Sequence, residues 1–257
     1  MKTESLIIDS HAHCGIIDIH PPQSFDDYLD YAAGSSIQGA VFFSPVIEIY
    51  DRYDPDFEDT PQWQERRRSS NEYLLGLDSE KFRVFPYFFI WNDFDVGQLT
   101  PQHKGIKWHR HAYEPHYDYD TAGCLEAIEE IRRRKMPVVL EEELKNTTRF
   151  INELAVGIRI IIPHLGFLNG GYTAIRDHDL WSKENVYTDT SLAPRGEILD
   201  YISRYGTERI LFGSDFPFGE PKRELDKILG LPIERHFKEA ICGGNLLRLL
   251  SDSNLVE

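Results

Sequence analysis

The run Ile7-Ile8-Asp9-Ser10-His11-Ala12-His13 closes an aliphatic stretch with two histidines one residue apart. In an extended chain such residues project to the same side. His11 and His13 therefore form a bidentate clamp that can bring two imidazole nitrogens to one divalent ion. Gly105-Ile106-Lys107-Trp108-His109-Arg110-His111 places Lys107, His109 and His111 on one alternating face. Two further aliphatic runs end in His164 and in Asp215. A lone histidine at a strand end is more often a hydrogen-bonded structural residue. Four strand ends each supplying His or Asp, in a chain with ten histidines, carry more weight than any one of them.

The stretch Val138-Val139-Leu140-Glu141-Glu142-Glu143-Leu144 adds three carboxylates to the end of another aliphatic run. Two readings are open. The acids decorate a helix start, where anions complement the macrodipole, or at least one turns inward and holds something positive.

These groups need a scaffold that brings distant strand ends together. Strand-like runs occur at Leu6–Asp9, Ala40–Phe43, Arg83–Ile90, Gly105–Trp108, Val138–Leu140, Ile158–Ile162, Val186–Asp189 and Ile210–Phe212. Helical period or capping signals separate most of them. Helices are expected over Phe25–Ala33, Trp63–Leu77, Cys124–Lys135, Ile198–Ile202 and Leu225–Leu229. Leu125, Ile128 and Ile131 are expected as a buried stripe of the third, and Phe150, Leu154 and Ile158 as another stripe. Eight strands alternating with helices predict a single (β/α)₈ TIM barrel over residues 1–257, with a doubly wound open sheet as the alternative. The segment between Ile90 and Gly105 has room only for a shortened unit. Leu246–Leu250, after Gly243-Gly244-Asn245, reads as a C-terminal capping helix.

The net charge of −15 argues against non-specific nucleic-acid binding and against attraction to anionic lipid. Two basic runs, Arg66–Arg68 and Arg132–Lys135, read as solvated helix faces. No run approaches the ~20 apolar residues of a membrane helix. Met1-Lys2-Thr3-Glu4 leads into a strand pattern without an apolar leader core, and the three cysteines lack motif spacing. Both features favour a cytoplasmic protein. The acidic, aromatic loop of residues 50–63 would overhang a barrel mouth, as a lid or a subunit contact.

Taken in order, IIDSHAH, GIKWH, PHLG, ILFGSDFP and GGNLLRLL resemble the amidohydrolase superfamily. The similar branch includes aminocarboxymuconate-semialdehyde decarboxylase, resorcylate decarboxylases and dicarboxylate lactonases. The resemblance implies a metal-containing barrel, with His11 and His13 as strand-one ligands. It implies Asp215 as a ligand that also handles the proton of a water. It makes His164 an acid/base group, or a ligand of a second ion. The strand-five histidine of the family is missing, and Glu141 stands in its place. Glu141 then either ligates the ion, with Glu142 facing away and Glu143 on the rim, or belongs to a helix start. Lys107, His109 and Arg195 are candidate contacts to a substrate anion, although Arg195 could equally cap the helix that follows it.

The expected activity is hydrolysis of a small carboxylate-bearing ester, lactone or amide, with one or two divalent ions, Zn²⁺ foremost and Mn²⁺ or Fe²⁺ as alternatives. The alternatives are a metal-dependent decarboxylase or hydratase, and a non-catalytic metal-binding barrel. A homodimer formed through outer helices and loops is compatible with such a barrel.

Overall fold

The computed structural model describes residues 6–17, 21–77 and 81–251; residues 1–4, read above for a leader, lie outside them. Eight parallel strands follow chain order around one sheet. They are β1 (Ile8–His13), β2 (Gly39–Phe43), β3 (Arg83–Phe89), β4 (Gly105–His109), β5 (Val138–Glu141), β6 (Ile160–Ile162), β7 (Val186–Asp189) and β8 (Ile210–Leu211). The edges meet: Ser10 N–H donates to the Phe212 carbonyl (2.8 Å) and Asp215 N–H to that of His11 (2.7 Å). The open-sheet alternative is thereby set aside.

The connecting helices are α1 (Phe25–Ala32), α2 (Pro61–Leu75), α3 (Ala122–Arg133), α4 (Leu144–Arg149), α5 (Tyr172–Asp177), α6 (Arg195–Tyr205), α7 (Pro221–Leu229), α8 (Arg235–Glu239) and α9 (Asn245–Ser251). Between β3 and β4 there is a single 3₁₀ turn, Val96–Gln98, as the short spacing requires. Strand alternation sorts the core into two layers. Ala40, Phe42, Ile106, Trp108, Val138, Leu140, Ile160 and Ile162 face the helices. Val41, Phe85, Tyr87, Val139, Ile161 and Leu211 fill the barrel, and Leu246, Leu249 and Leu250 of α9 join them from below. The C-terminal helix is a floor to the barrel, leaving the opposite end as the mouth.

Three expectations fail here for physical reasons. Leu125 is 47% exposed: Ile128 and Ile131 are buried as expected, but Cys124 and Ala127, not Leu125, complete the buried face of α3. Ile158 does not extend a stripe with Phe150 and Leu154; the helical turn ends at Leu154, and Gly157, with φ of +81°, turns the chain toward β6. Arg67 is not solvated. It is buried on α2, held by Asp59 (2.9 Å), Asp93 (2.6 Å) and the Ile49 carbonyl (2.9 Å), and so ties the mouth loop to the end of β3. A buried charge survives only when paired in this way.

Cys14, Cys124 and Cys242 are buried and form no disulfide. Among the described residues no helix is long and apolar enough to cross a membrane.

His103, 2% exposed before β4, carries a pH-dependent part of the stability. Burial, then the charge of Arg134, pushes its pKa down to about 4 from 6.5. Its contribution is therefore complete above pH 6.5 and lost as pH falls through 4, about 3 kcal/mol in all. His103→Asn keeps an acceptor for the Thr100 N–H that Nδ1 now receives at 3.1 Å. Urea unfolding from pH 7 to 4 should show the variant losing less stability than the wild type by about that amount; parallel pH profiles would contradict the assignment.

Candidate metal centre at the barrel mouth

The orientation of the strand-one pair depends on an irregularity. Pairing with β2 runs Asp9 with Ala40 but Ala12 with Phe42, so β1 carries one extra residue between them. A bulge of this kind flips the alternation. It allows Ile8, His11 and His13 all to face the barrel interior, while Asp9 faces outward. Asp9 accepts from Ser214 N–H (2.9 Å), Ser214 Oγ (2.5 Å) and Tyr28 OH (3.0 Å), fixing the bulge to the end of β8. Burial raises its pKa to about 7, against these bonds.

Two other site residues hold left-handed backbones uncommon for side-chain-bearing residues: His164 (φ 55°) and Asp215 (φ 60°). Such positions cost on the order of 1 kcal/mol or more each. Here each turns a side chain into the mouth directly after its strand.

The imidazoles are aimed by their far nitrogens. His11 Nδ1 is 2.8 Å from Asp189 Oδ2, and His164 Nδ1 is 2.8 Å from Ser191 Oγ. The Ser191 hydroxyl in turn donates to Asp189. His13 Nδ1 is 3.5 Å from the Ser44 carbonyl. Each Nε2 is thereby left facing the centre, the arrangement that outer partners impose on metal-binding histidines. His11 Nε2 and His13 Nε2 both lie 3.4 Å from Asp215 Oδ1, and His164 Nε2 is 3.6 Å from Glu141 Oε2. Two triads with metal-compatible spacing share His11: His11–His13–Asp215 and His11–Glu141–His164.

The charges fit a divalent ion. Three buried carboxylates, Glu141, Asp189 and Asp215, surround one buried ammonium, Lys107, which is 2.9 Å from Glu141 Oε2 and 3.4 Å from His11 Nε2. Burial works against all three anions, but their neighbours hold each below its usual range: His109 and Lys107 for Glu141, His11 for Asp189, and His164 for Asp215. Burial lowers His11 to about 4, and it lowers His13. Burial opposes charge on His164 as well. There Asp215, Glu141 and Asp189 outweigh it and raise the pKa to about 9. Two negative charges remain after Lys107. A doubly charged cation among neutral Nε2 donors and carboxylates suits the same place.

The centre floors a cavity of about 360 Å³. His13, His109, His111, Glu141 and Asp215 form its polar end, and Pro45, Ile47, Leu192 and Phe218 its apolar walls. Arg52 and Tyr53 bring the mouth loop over it.

The sequence-derived residues fare unequally. His11, His13, Glu141, His164 and Asp215 come together, and His109 lines the cavity. Lys107 does not reach the cavity: it is fully buried beneath, over the Phe43 ring and paired with Glu141. Arg195 is corrected too. It lies exposed at the start of α6, its guanidinium donates to the Gly230 carbonyl at the end of α7, and it is not among the residues that line the cavity. Of the three acids, Glu141 faces in and Glu142 faces out, as alternation requires. Glu142 is nevertheless fully buried, receiving Arg110 Nη1 at 2.6 Å and Tyr119 OH at 2.6 Å. Glu143 stands at the N-cap of α4 and shares Arg110. The residue sequence reasoning missed is Asp189. Its signal was available, since Tyr187-Thr188-Asp189 ends a strand with an acid just as β8 is followed by Asp215.

The fold and the site together define a closed (β/α)₈ barrel with histidines and carboxylates gathered, at spacings compatible with a metal ion, at its C-terminal mouth. Residues 149–251 match the family model described as Amidohydrolase, and the resemblance to the amidohydrolase superfamily stands. Solved structures share the fold. A 2,6-dihydroxybenzoate decarboxylase from Rhizobium gives a TM-score of 0.71 at 15% identity, covering 96% of this chain and 99% of that one. A dihydroxybenzoic acid decarboxylase from Polaromonas sp. JS666, with bound manganese and the inhibitor 2-nitroresorcinol, gives 0.68 at 15%, covering 96% and 97%. A Pseudomonas putida protein provisionally named 2-pyrone-4,6-dicarboxylic acid hydrolase gives 0.64 at 15%, covering 97% and 98%. No curated protein matches by sequence.

Proposed function

We propose that this chain is a metal-dependent hydrolase of small carboxylate-bearing esters, lactones or amides. The observation that carries the reading is the convergence of His11 Nε2 and His13 Nε2 on Asp215 Oδ1, each at 3.4 Å, at the floor of the mouth cavity. His11, His13 and Asp215 would hold one ion, with Glu141 as the carboxylate that replaces the strand-five imidazole. Bound there, a divalent cation supplies Lewis-acid chemistry, acidifying a water and drawing electrons from a carbonyl. Zn²⁺ and Mn²⁺ both suit two imidazoles with carboxylates.

The protein's own groups divide the remaining work. Asp215, held deprotonated by its imidazole neighbours, takes the proton of an attacking water. His164, whose Nε2 is turned into the centre 3.6 Å from Glu141 Oε2, would stabilise negative charge developing on the carbonyl oxygen or protonate the leaving group. The apolar walls exclude bulk water from a substrate with a flat hydrocarbon body.

A second reading, decarboxylation of an aromatic or unsaturated acid, is favoured by the names of two fold neighbours. In that reaction the C–CO₂ bond breaks, and His164 or Asp215 returns a proton to the carbon. Product analysis separates the two. The metal-loaded chain is offered dihydroxybenzoates and a panel of carboxylated lactones and esters. Hydrolysis gives a new acid and no CO₂, whereas CO₂ release without hydrolysis replaces the first reading by the second.

A further inference from the structure

The mouth holds a second His-x-His pair that the proposed function does not use as ligands. His109 Nε2 is 3.2 Å and His111 Nε2 is 2.5 Å from one atom, Glu141 Oε1. Glu141 Oε2 faces the other way, toward His164 and Lys107. We propose that His109, His111 and Glu141 form a second divalent-cation site, with Glu141 as a carboxylate shared between two ions.

Three observations support it. The donor atoms of the three residues lie within 4.8 Å of one another, as do those of the first centre's triads. His111 and Glu141 line the cavity, so solvent or a substrate carboxylate can complete the coordination. The third observation is the outer shell. Glu114 Oε1 is 3.5 Å from His111 Nδ1. Glu114 Oε2 accepts from Tyr50 OH at 2.7 Å, and that hydroxyl is 3.4 Å from His109 Nδ1. One buried carboxylate thus serves the far nitrogens of both rings. Asp189 does the same for His11 and His164, directly for one and through Ser191 for the other. Outer carboxylates of this kind fix ring orientation and raise ligand basicity.

Arg52 sets the occupancy of this site. It pairs with Glu114, and its Nη2 is 2.8 Å from His111 Nδ1. While it donates there, His111 carries its proton on Nε2 and gives it to Glu141. An ion binding at Nε2 requires that proton to move to Nδ1 by way of solvent, and Arg52 must withdraw so that Glu114 can receive Nδ1–H. The second ion therefore binds more weakly than the first. A substrate anion that engages Arg52 would promote its binding. The site shares Glu141 with the centre of the proposed function, and rests on that reading only through it.

Mn²⁺ titration of the metal-stripped full chain, followed by equilibrium dialysis and electron paramagnetic resonance, tests the proposal. The wild type should take two equivalents, the second at higher Mn²⁺, with a spin-coupled signal appearing as it fills. His111→Gln, at a side chain 29% exposed, and the double variant His109→Gln/His111→Gln should take one equivalent with an isolated-ion spectrum. Arg52→Gln, which leaves all three ligands in place, should tighten the second equivalent by about tenfold or more, since it removes a nearby positive charge. Saturation of the wild type at one equivalent, or two equivalents in the double variant, overturns the proposal. The two readings fail separately. One ion that is lost in His13→Gln but kept in the double variant leaves the first centre standing alone. Binding of no ion removes both.

Discussion

Asp215→Asn is expected to lower turnover by about 10³-fold even when the variant is fully loaded with metal. Asparagine keeps an oxygen near His11 Nε2 and His13 Nε2, so a weakened ion can be restored at high concentration. What it cannot restore is the acceptor for the proton of an attacking water. Asp215 suits that task because, despite burial, His164 and then His13 hold its carboxyl below the usual range. The left-handed backbone at this position tolerates asparagine well, so the substitution tests chemistry rather than folding. Metal content by elemental analysis and turnover at saturating ion are the paired measurements. A fully loaded variant that keeps a tenth or more of wild-type turnover would reduce Asp215 to a ligand alone.

How much of this was legible in the sequence follows from the range of each signal. The eight strands were readable because parallel barrel strands are short aliphatic runs with helices between them. The mouth residues were readable because each directly follows such a run. The absent strand-five histidine was visible as Glu141 for the same reason. The bulge in β1 left no such mark. The inference that His11 and His13 share a face holds because both lie beyond it; Ile8 and His11, three apart, face the same way only because of it.

Charged residues were misread where their partners are distant in sequence. Arg67 looked like one of three solvated arginines, yet Asp93 lies 26 residues away and buries it. Arg195 was read either as an anion contact or as a cap of the helix that follows it, yet the end of α7, 35 residues on, takes its guanidinium. Lys107 was correctly read as facing inward, but alternation says nothing about depth. Its neighbour across the register pairs His109 with Glu141, and Lys107, two residues earlier, is left beneath the cavity floor. Asp189 was missed although the strand-end rule that found Asp215 applies to it. It sits behind the imidazoles and aims them, and sequence spacing does not distinguish a residue that aims a ligand from one that is a ligand.

The adjacent acids Glu141 and Glu142 should respond to the same substitution in opposite ways. Glu141→Gln removes a negative charge from the inner face, and Lys107, 2.9 Å away, loses the carboxylate that balances it. Both changes disfavour a divalent ion, so affinity at the first centre should fall by on the order of 10²-fold or more. Glu142→Gln acts on the outer face. It leaves Arg110, 1% exposed, with only the half-exposed Glu143 as a charged partner. Breaking a buried pair in this way costs about 3 kcal/mol, which for a chain of this length lowers the melting temperature by roughly 6–12 °C. Metal affinity in that variant should match the wild type, because the Arg110 pair points away from the mouth. Chelator competition at 25 °C, where both variants are folded, reads the first effect, and thermal melts of the metal-free proteins read the second. Equal metal affinity in the two variants would leave Glu141 as the buried partner of Lys107 and not a ligand, whereas a Glu142→Gln melt indistinguishable from wild type would mean that Arg110 finds its compensation elsewhere.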